Sequence, residues 1–184
     1  MSSRLKSGPR YITMLASVAA FVVQVDGSAL NVALPTLGYE FGVPLSVLQW
    51  TVDAYTLTYA CLLLSAGAAS DRFGAPCVFA WGLGLFAIAS MLCAFSLAAD
   101  LLIAGRVLQG AAGSILIPSS LTLIHHVHSE DENARIKAIG WWTAGGGVAI
   151  TAGPVVGGLC IGYLGWRSIF LINIPICVVG MAFA

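Results

Sequence analysis

Charge is what this chain has least of. Only 9% of its 184 residues are Asp, Glu, Lys or Arg, eight acidic and eight basic, and the formal net charge is zero. A soluble domain needs a charged shell. With 59% hydrophobic residues and a mean hydropathy of +0.93, this chain cannot supply one. The even balance also excludes a basic surface for nucleic acid. No nucleophile elbow, phosphate-binding loop or HExxH occurs, so an enzyme is the weakest functional class. The five cysteines (Cys61, Cys77, Cys93, Cys160 and Cys177) lie inside apolar runs and form no CxxC, which argues against disulfide or metal roles. No soluble domain or low-complexity linker fits between the hydrophobic runs.

What is present is a series of six hydrophobic segments, at about 11–37, 46–69, 77–98, 101–124, 138–163 and 169–184. A membrane-crossing helix needs about 20 residues, so each is read as a span and the fold class as an all-α integral membrane bundle. The polar, basic start (residues 1–10) followed by an apolar run is similar to a signal peptide. The apolar character continues to Leu37, however, and the run is read as an uncleaved first span. Orientation follows from Lys and Arg. With the N-terminus inside, one side carries Arg4, Lys6, Arg10, Arg72, Arg135 and Lys137, and the other only Arg167. The expectation is a multi-pass protein of the cytoplasmic membrane with residues 1–10 in the cytoplasm.

Three ionisable residues fall inside spans, where charge is costly and marks a pathway or a coupling site: Asp26, Asp53 and Arg106. At 1.5 Å per residue they lie roughly 16, 10 and 8 Å from the outer ends of their segments. A guanidinium at that depth can pair with a carboxylate, and either aspartate can be the partner of Arg106. A carboxylate's proton affinity rises with desolvation and falls beside a cation, so a changing Arg–Asp distance would act as a pump stroke. Asn31, Trp50, Tyr55 and Gln109 lie close to these charges in sequence and are candidates to line a substrate path, while Trp50 and Tyr55 equally suit an aromatic belt at the membrane interface. Asp71 and Arg72, with Gly67 and Gly74, occupy a turn at a cytoplasmic helix end. His125, His126 and His128, followed by Glu130, Asp131 and Glu132, are similar to a metal cluster in composition only, because no paired helical spacing supports one. No metal and no cofactor is expected, and a proton gradient is the expected energy source.

The fifth segment is built from residues that normally spoil helices. Gly145, Ala149, Gly153 and Gly157 fall four apart, Gly158 and Gly162 extend a small neighbouring surface, and Pro154 removes a backbone donor, so a kink is expected there. Small-residue stripes let helices approach backbone to backbone in a bilayer.

Taken together, these residues resemble the major facilitator superfamily, in its drug:proton antiporter branch of fourteen spans. VDGSALNVALP (residues 25–35) is similar to that branch's first-span motif, and GAASDRFG (67–74) to the loop signature GxLaDRxGRK. RVLQGAAG (106–113) is similar to the fourth-span RxxQGxgaa, and AITAGPVVGG (149–158) to the antiporter motif gxxxGPxxGG. WRSIFLINIPI (166–176) resembles the start of the sixth span. The resemblance implies that Asp26 and Asp53 take up protons or recognise cations, and that Arg106 relays protons. It further implies that Asp71 and Arg72 gate the cytoplasmic side, and that Gly153 and Pro154 bend a span in favour of antiport. Two departures stand out. Ala75 and Pro76 occupy positions where the loop signature has basic residues. The chain also supplies one six-span half where the family uses two, so the expectation is an N-terminal half that needs a missing C-terminal or partner half. The expected function is proton-coupled efflux of drugs, antibiotics or similar amphipathic small molecules. The alternatives are a metabolite facilitator or symporter of the same superfamily, and a non-transporting truncated membrane protein.

Overall fold

The computed structural model describes residues 8–183; Arg4 and Lys6, used above for orientation, and Ala184 lie outside the described residues. The described chain is helical almost throughout. The helices are α1 (Pro9–Phe41), α2 (Leu45–Phe73), α3 (Ala75–Ala94), α4 (Ala99–Val127), α5 (Glu132–Leu164), α6 (Arg167–Leu171) and α7 (Asn173–Phe183). The first five are long and apolar enough to cross a membrane, and α6 with α7 makes a shorter sixth apolar segment. At 33 residues, α1 is about 50 Å long, more than the roughly 30 Å of bilayer hydrocarbon.

Local chemistry sets the turns. Pro9 opens α1 at a position where its missing N–H costs nothing. Gly42, at φ 64°, closes α1 by donating its N–H to the Gly38 carbonyl at 3.0 Å. Gly74, at φ 87°, ends α2 the same way on Ser70, also at 3.0 Å. α3 begins immediately after it. Pro76 therefore sits in the first turn of a helix, and Ala75 is buried. The two residues that depart from the loop signature thus serve to start α3. The Asp131 carboxylate accepts from Ala134 N at 2.9 Å and caps α5.

Several boundaries differ from the sequence expectation. α1 runs on to Phe41, leaving only residues 42–44 as a connection. α3 ends at Ala94 rather than 98, because the Ser96 hydroxyl and backbone N–H both turn back onto the Cys93 carbonyl, at 2.8 and 3.2 Å. Ala99 and Asp100 are the start of α4, where an acidic side chain suits the positive helix end. His125 and His126 lie on the last turn of α4 and not in a loop; only residues 128–131 connect α4 to α5. The sixth segment starts at Arg167 and is interrupted at Ile172. Pro175 has no N–H to donate to the carbonyl of Leu171, so the ladder breaks there.

α4 lies at the centre of the bundle, packed along α2 and α3 and also against α1. α1 lies along α5, and α7 along α3. Half or more of the apolar stretch of α1, α3 and α4 is buried, against 17% for α2 and α5. The last two therefore present most of their surface outward. One core cluster gathers Phe79, Phe86 and Leu116 with Val22 and Val23; another gathers Leu30, Leu37, Leu102, Trp166 and Phe170.

Candidate functional site

The polar centre of the bundle is built on Asp26, close to the midpoint of α1. Arg106 of α4 donates from Nη1 to Asp26 Oδ2 at 2.5 Å, and both side chains are fully buried. The same Nη1 donates to Gln109 Oε1 at 2.7 Å, and Arg106 Nε donates to the Thr51 carbonyl of α2 at 3.1 Å. Gln109 Nε2 donates to Asp26 Oδ1 at 3.3 Å and to Ser90 Oγ of α3 at 2.9 Å. The Cys93 thiol is 3.4 Å from Gln109 Oε1. Asn173, the first residue of α7, donates from Nδ2 to Asp26 Oδ1 at 2.8 Å. Five helices thus meet in one hydrogen-bond network around this carboxylate.

Such a pair survives burial because its remaining lone pairs and protons are satisfied. Arg106 Nη2 is the exception, with no hydrogen-bond partner among the described residues. The guanidinium carbon lies 4.1 Å from the centre of the Tyr55 ring, whose face offsets part of the charge. Tyr55 is in turn held by its hydroxyl, which donates to the Val23 carbonyl at 3.2 Å.

The fourth-span motif can now be read physically. Arg106, Gln109, Gly110 and Gly113 share one helical face at i, i+3, i+4 and i+7. The first two enter the network, and the glycines let α2 approach. A Cβ on Gly110 would run into the Tyr55 carbonyl, and one on Gly113 would sit 3.3 Å from the Tyr55 hydroxyl. The fifth-span stripe divides. Ala149, Gly153 and Gly157 are buried, and a Cβ on Gly153 would strike Ser28 of α1. Gly145, Gly158 and Gly162 have nothing within 4 Å of an added Cβ. Pro154 is exposed, and α5 remains one helix through it.

The other expected site residues scatter. Asp53 is exposed on α2 and makes no hydrogen bond or ion pair among the described residues; Arg106 takes Asp26 as its partner. Trp50 and Asn31 are also exposed, and Asn31 Nδ2 donates to the Ser28 carbonyl at 3.3 Å. Tyr55 and Gln109 are buried in the network. Gly67 is half-buried and Asp71, Arg72 and Gly74 are exposed at the end of α2; the Arg72 guanidinium lies 5.4 Å from the centre of the ring of its neighbour Phe73. Among the described residues no three His, Cys, Asp or Glu side chains gather to hold a metal, and His128 Nε2 lies 2.9 Å from Thr13 Oγ1 instead.

Sequence reasoning missed Thr51, Ser90 and Asn173. Thr51 acts through its carbonyl, which no sequence signal marks, and lone serines are ordinary in apolar helices. Asn173 did carry a signal: an amide inside an apolar segment needs a partner. The sixth-span motif also forms a second contact. Trp166 Nε1 and Arg167 Nη1 each donate to Glu40 at 2.6 Å, Arg167 lies over the Trp166 ring, and Phe41 and Phe170 pack edge-on against it. This clips the end of α1 to the turn before α6.

A buried ion pair at the middle of a multi-pass helical bundle, with little other charge inside it, defines an integral membrane protein of transporter type. The sequence profile of the Major Facilitator Superfamily matches residues 16–184, and the chain belongs to that family, whose members are transporters and not enzymes. It is 40% identical over 175 residues to a methylenomycin A resistance protein of Streptomyces coelicolor, covering 95% of this chain and 37% of that protein. It is 36% identical over 173 residues to the methyl viologen resistance protein SmvA of Salmonella typhimurium, covering 94% and 35%. It is 34% identical over 170 residues to the riboflavin transporter RibZ of Clostridioides difficile, covering 92% and 37%. The chain therefore spans little more than a third of the length of these relatives.

Proposed function

We propose that this chain is the N-terminal half of a proton-driven exporter of drugs, antibiotics or similar amphipathic compounds, working in the cytoplasmic membrane with its N-terminus in the cytoplasm. The observation that carries the reading is the buried Asp26–Arg106 pair, joined by Gln109 at the junction of five helices. A proton on Asp26 neutralises the carboxylate that balances Arg106. The two helices are then free to shift relative to each other, which links proton binding to the opening of one side. Exposed Asp53, Trp50 and Asn31 supply a carboxylate and an aromatic surface for a cationic or amphipathic substrate. Asp71 and Arg72 act at the cytoplasmic gate, and Gly153 and Pro154 at the point where α5 bends or slides on α1. The outward-facing surfaces of α2 and α5 are where a second half would pack and complete the path. The resistance proteins among the relatives support efflux as the direction of transport.

The test is made in the complete transporter that carries this chain, in vesicles with an imposed proton gradient. Asp26→Asn and Asp53→Asn together should abolish proton-coupled efflux while the protein still inserts; intact coupling would sink the reading. The riboflavin transporter among the relatives favours one rival, a metabolite facilitator or symporter. Transport that persists after the proton gradient is collapsed would favour it.

A further inference from the structure

We propose that Asn173 is a positioning residue for Asp26: its amide occupies the carboxylate oxygen a proton would otherwise take, which makes the sixth span part of the coupling machinery. This rests on the proton-coupling reading above. A carboxylate oxygen offers two lone pairs. On Asp26 Oδ1 both are used, by Asn173 Nδ2 at 2.8 Å and Gln109 Nε2 at 3.3 Å. Oδ2 faces Arg106. A proton therefore arrives either beside a guanidinium or in the place of a donor, and Asn173 is the nearer of the two donors on Oδ1. Only the nitrogen of its amide can face a carboxylate, which fixes the orientation of the side chain. The second N–H of Asn173 points to Ser90 Oγ at 3.5 Å, so the α3 hydroxyl steadies the amide.

The backbone gives this contact mechanical meaning. Asn173 stands at the break between α6 and α7, where Pro175 leaves the Leu171 carbonyl without a helical donor. Below the break α7 is packed on α3, with Gly180 so close that a Cβ would lie 3.0 Å from Leu83. Above it, α6 is held by the Trp166–Glu40 contact. The amide therefore sits beside a break in the helical ladder, where the sixth span can change angle next to Oδ1. The other charged or titratable groups facing Asp26 are Arg106 on α4, Tyr55 on α2, Cys93 on α3 and Cys177 on α7. α5 meets this part of α1 with glycine at Gly153.

A donor to the charged form favours that form, so removing it lets Asp26 hold its proton at higher pH. The experiment is infrared difference titration of the carboxyl band in the complete transporter in lipid, with the band assigned by its loss in Asp26→Asn. Asn173→Leu, of similar size and without a donor, should move the midpoint up. Asn173→Gln should restore part of the shift, and Ser90→Ala should give a smaller shift of the same sign, which keeps the test open should the leucine variant misfold. A purely structural role would lower stability and leave the midpoint in place. A band present in the wild type and unmoved by the Asn173 and Ser90 variants overturns this inference alone. If Asp26→Asn removes no titrating band, the proton-coupling reading falls and this inference falls with it.

Discussion

Gly157 and Gly158 are neighbours in α5 with different predicted responses to the same substitution. A methyl group on Gly157 would lie 2.7 Å from the Ala29 carbonyl oxygen and 3.2 Å from its Cα and Cβ, whereas Gly158 has nothing within 4 Å. Ordinary contact begins at 3.4 Å, so Gly157→Ala must part α1 and α5 locally by about 0.7 Å, the difference between 3.4 and 2.7 Å. The obstacle is backbone, which cannot rotate aside. Overpacking of this kind costs about 1–3 kcal/mol. Alanine also has an intrinsic helix advantage over glycine of about 0.8–1 kcal/mol, but both variants gain it. The difference between them therefore isolates the packing term, and Gly157→Ala should be less stable than Gly158→Ala by about 1–3 kcal/mol. Unfolding of the purified chain in mixed detergent, followed by circular dichroism, measures this directly. Equal stabilities, or a less stable Gly158→Ala, would refute the claim that this face of α5 packs on α1.

Arg106→Lys keeps the charge but cannot reach Thr51 and Asp26 together, so it should lose a charged hydrogen bond worth about 1.5–3 kcal/mol, read by the same unfolding assay. Removing one partner of the buried pair should cost about 3–5 kcal/mol, and the double variant Asp26→Asn with Arg106→Gln should cost less than the sum of the single ones in a double-mutant cycle. Gly153→Leu should impair transport by the complete protein more than membrane insertion, because its side chain would enter α1 at Ser28; an insertion defect appearing first would favour a plain packing role. In detergent, a membrane-permeant maleimide should label Cys61 and Cys77 in the folded protein, and Cys93 and Cys177 only after unfolding, as mass spectrometry would show.

Much of this molecule follows from order along the chain alone. Burying a backbone in lipid demands helices, so runs of apolar residues and the rarity of charge establish a helical membrane bundle without reference to any contact. The cost of charge in lipid singled out Asp26, Asp53 and Arg106 by the same logic. What order along the chain cannot carry is rotation about each helix axis and the meeting of distant segments. Asp26 and Asp53 look alike in sequence, yet α1 turns one inward to Arg106 while α2 turns the other outward, and that follows from which face of each helix packs against α4. The glycines of α5 divide for the same reason, with Gly153 and Gly157 facing α1 and Gly158 and Gly162 facing away. Asn173 reached Asp26 across 147 positions because Pro175 breaks the sixth segment where the amide can meet the carboxylate. Hydropathy and charge act on each residue against lipid or water, but a hydrogen-bond network exists only once side chains from five helices meet at hydrogen-bond distance, and that was decided by tertiary packing.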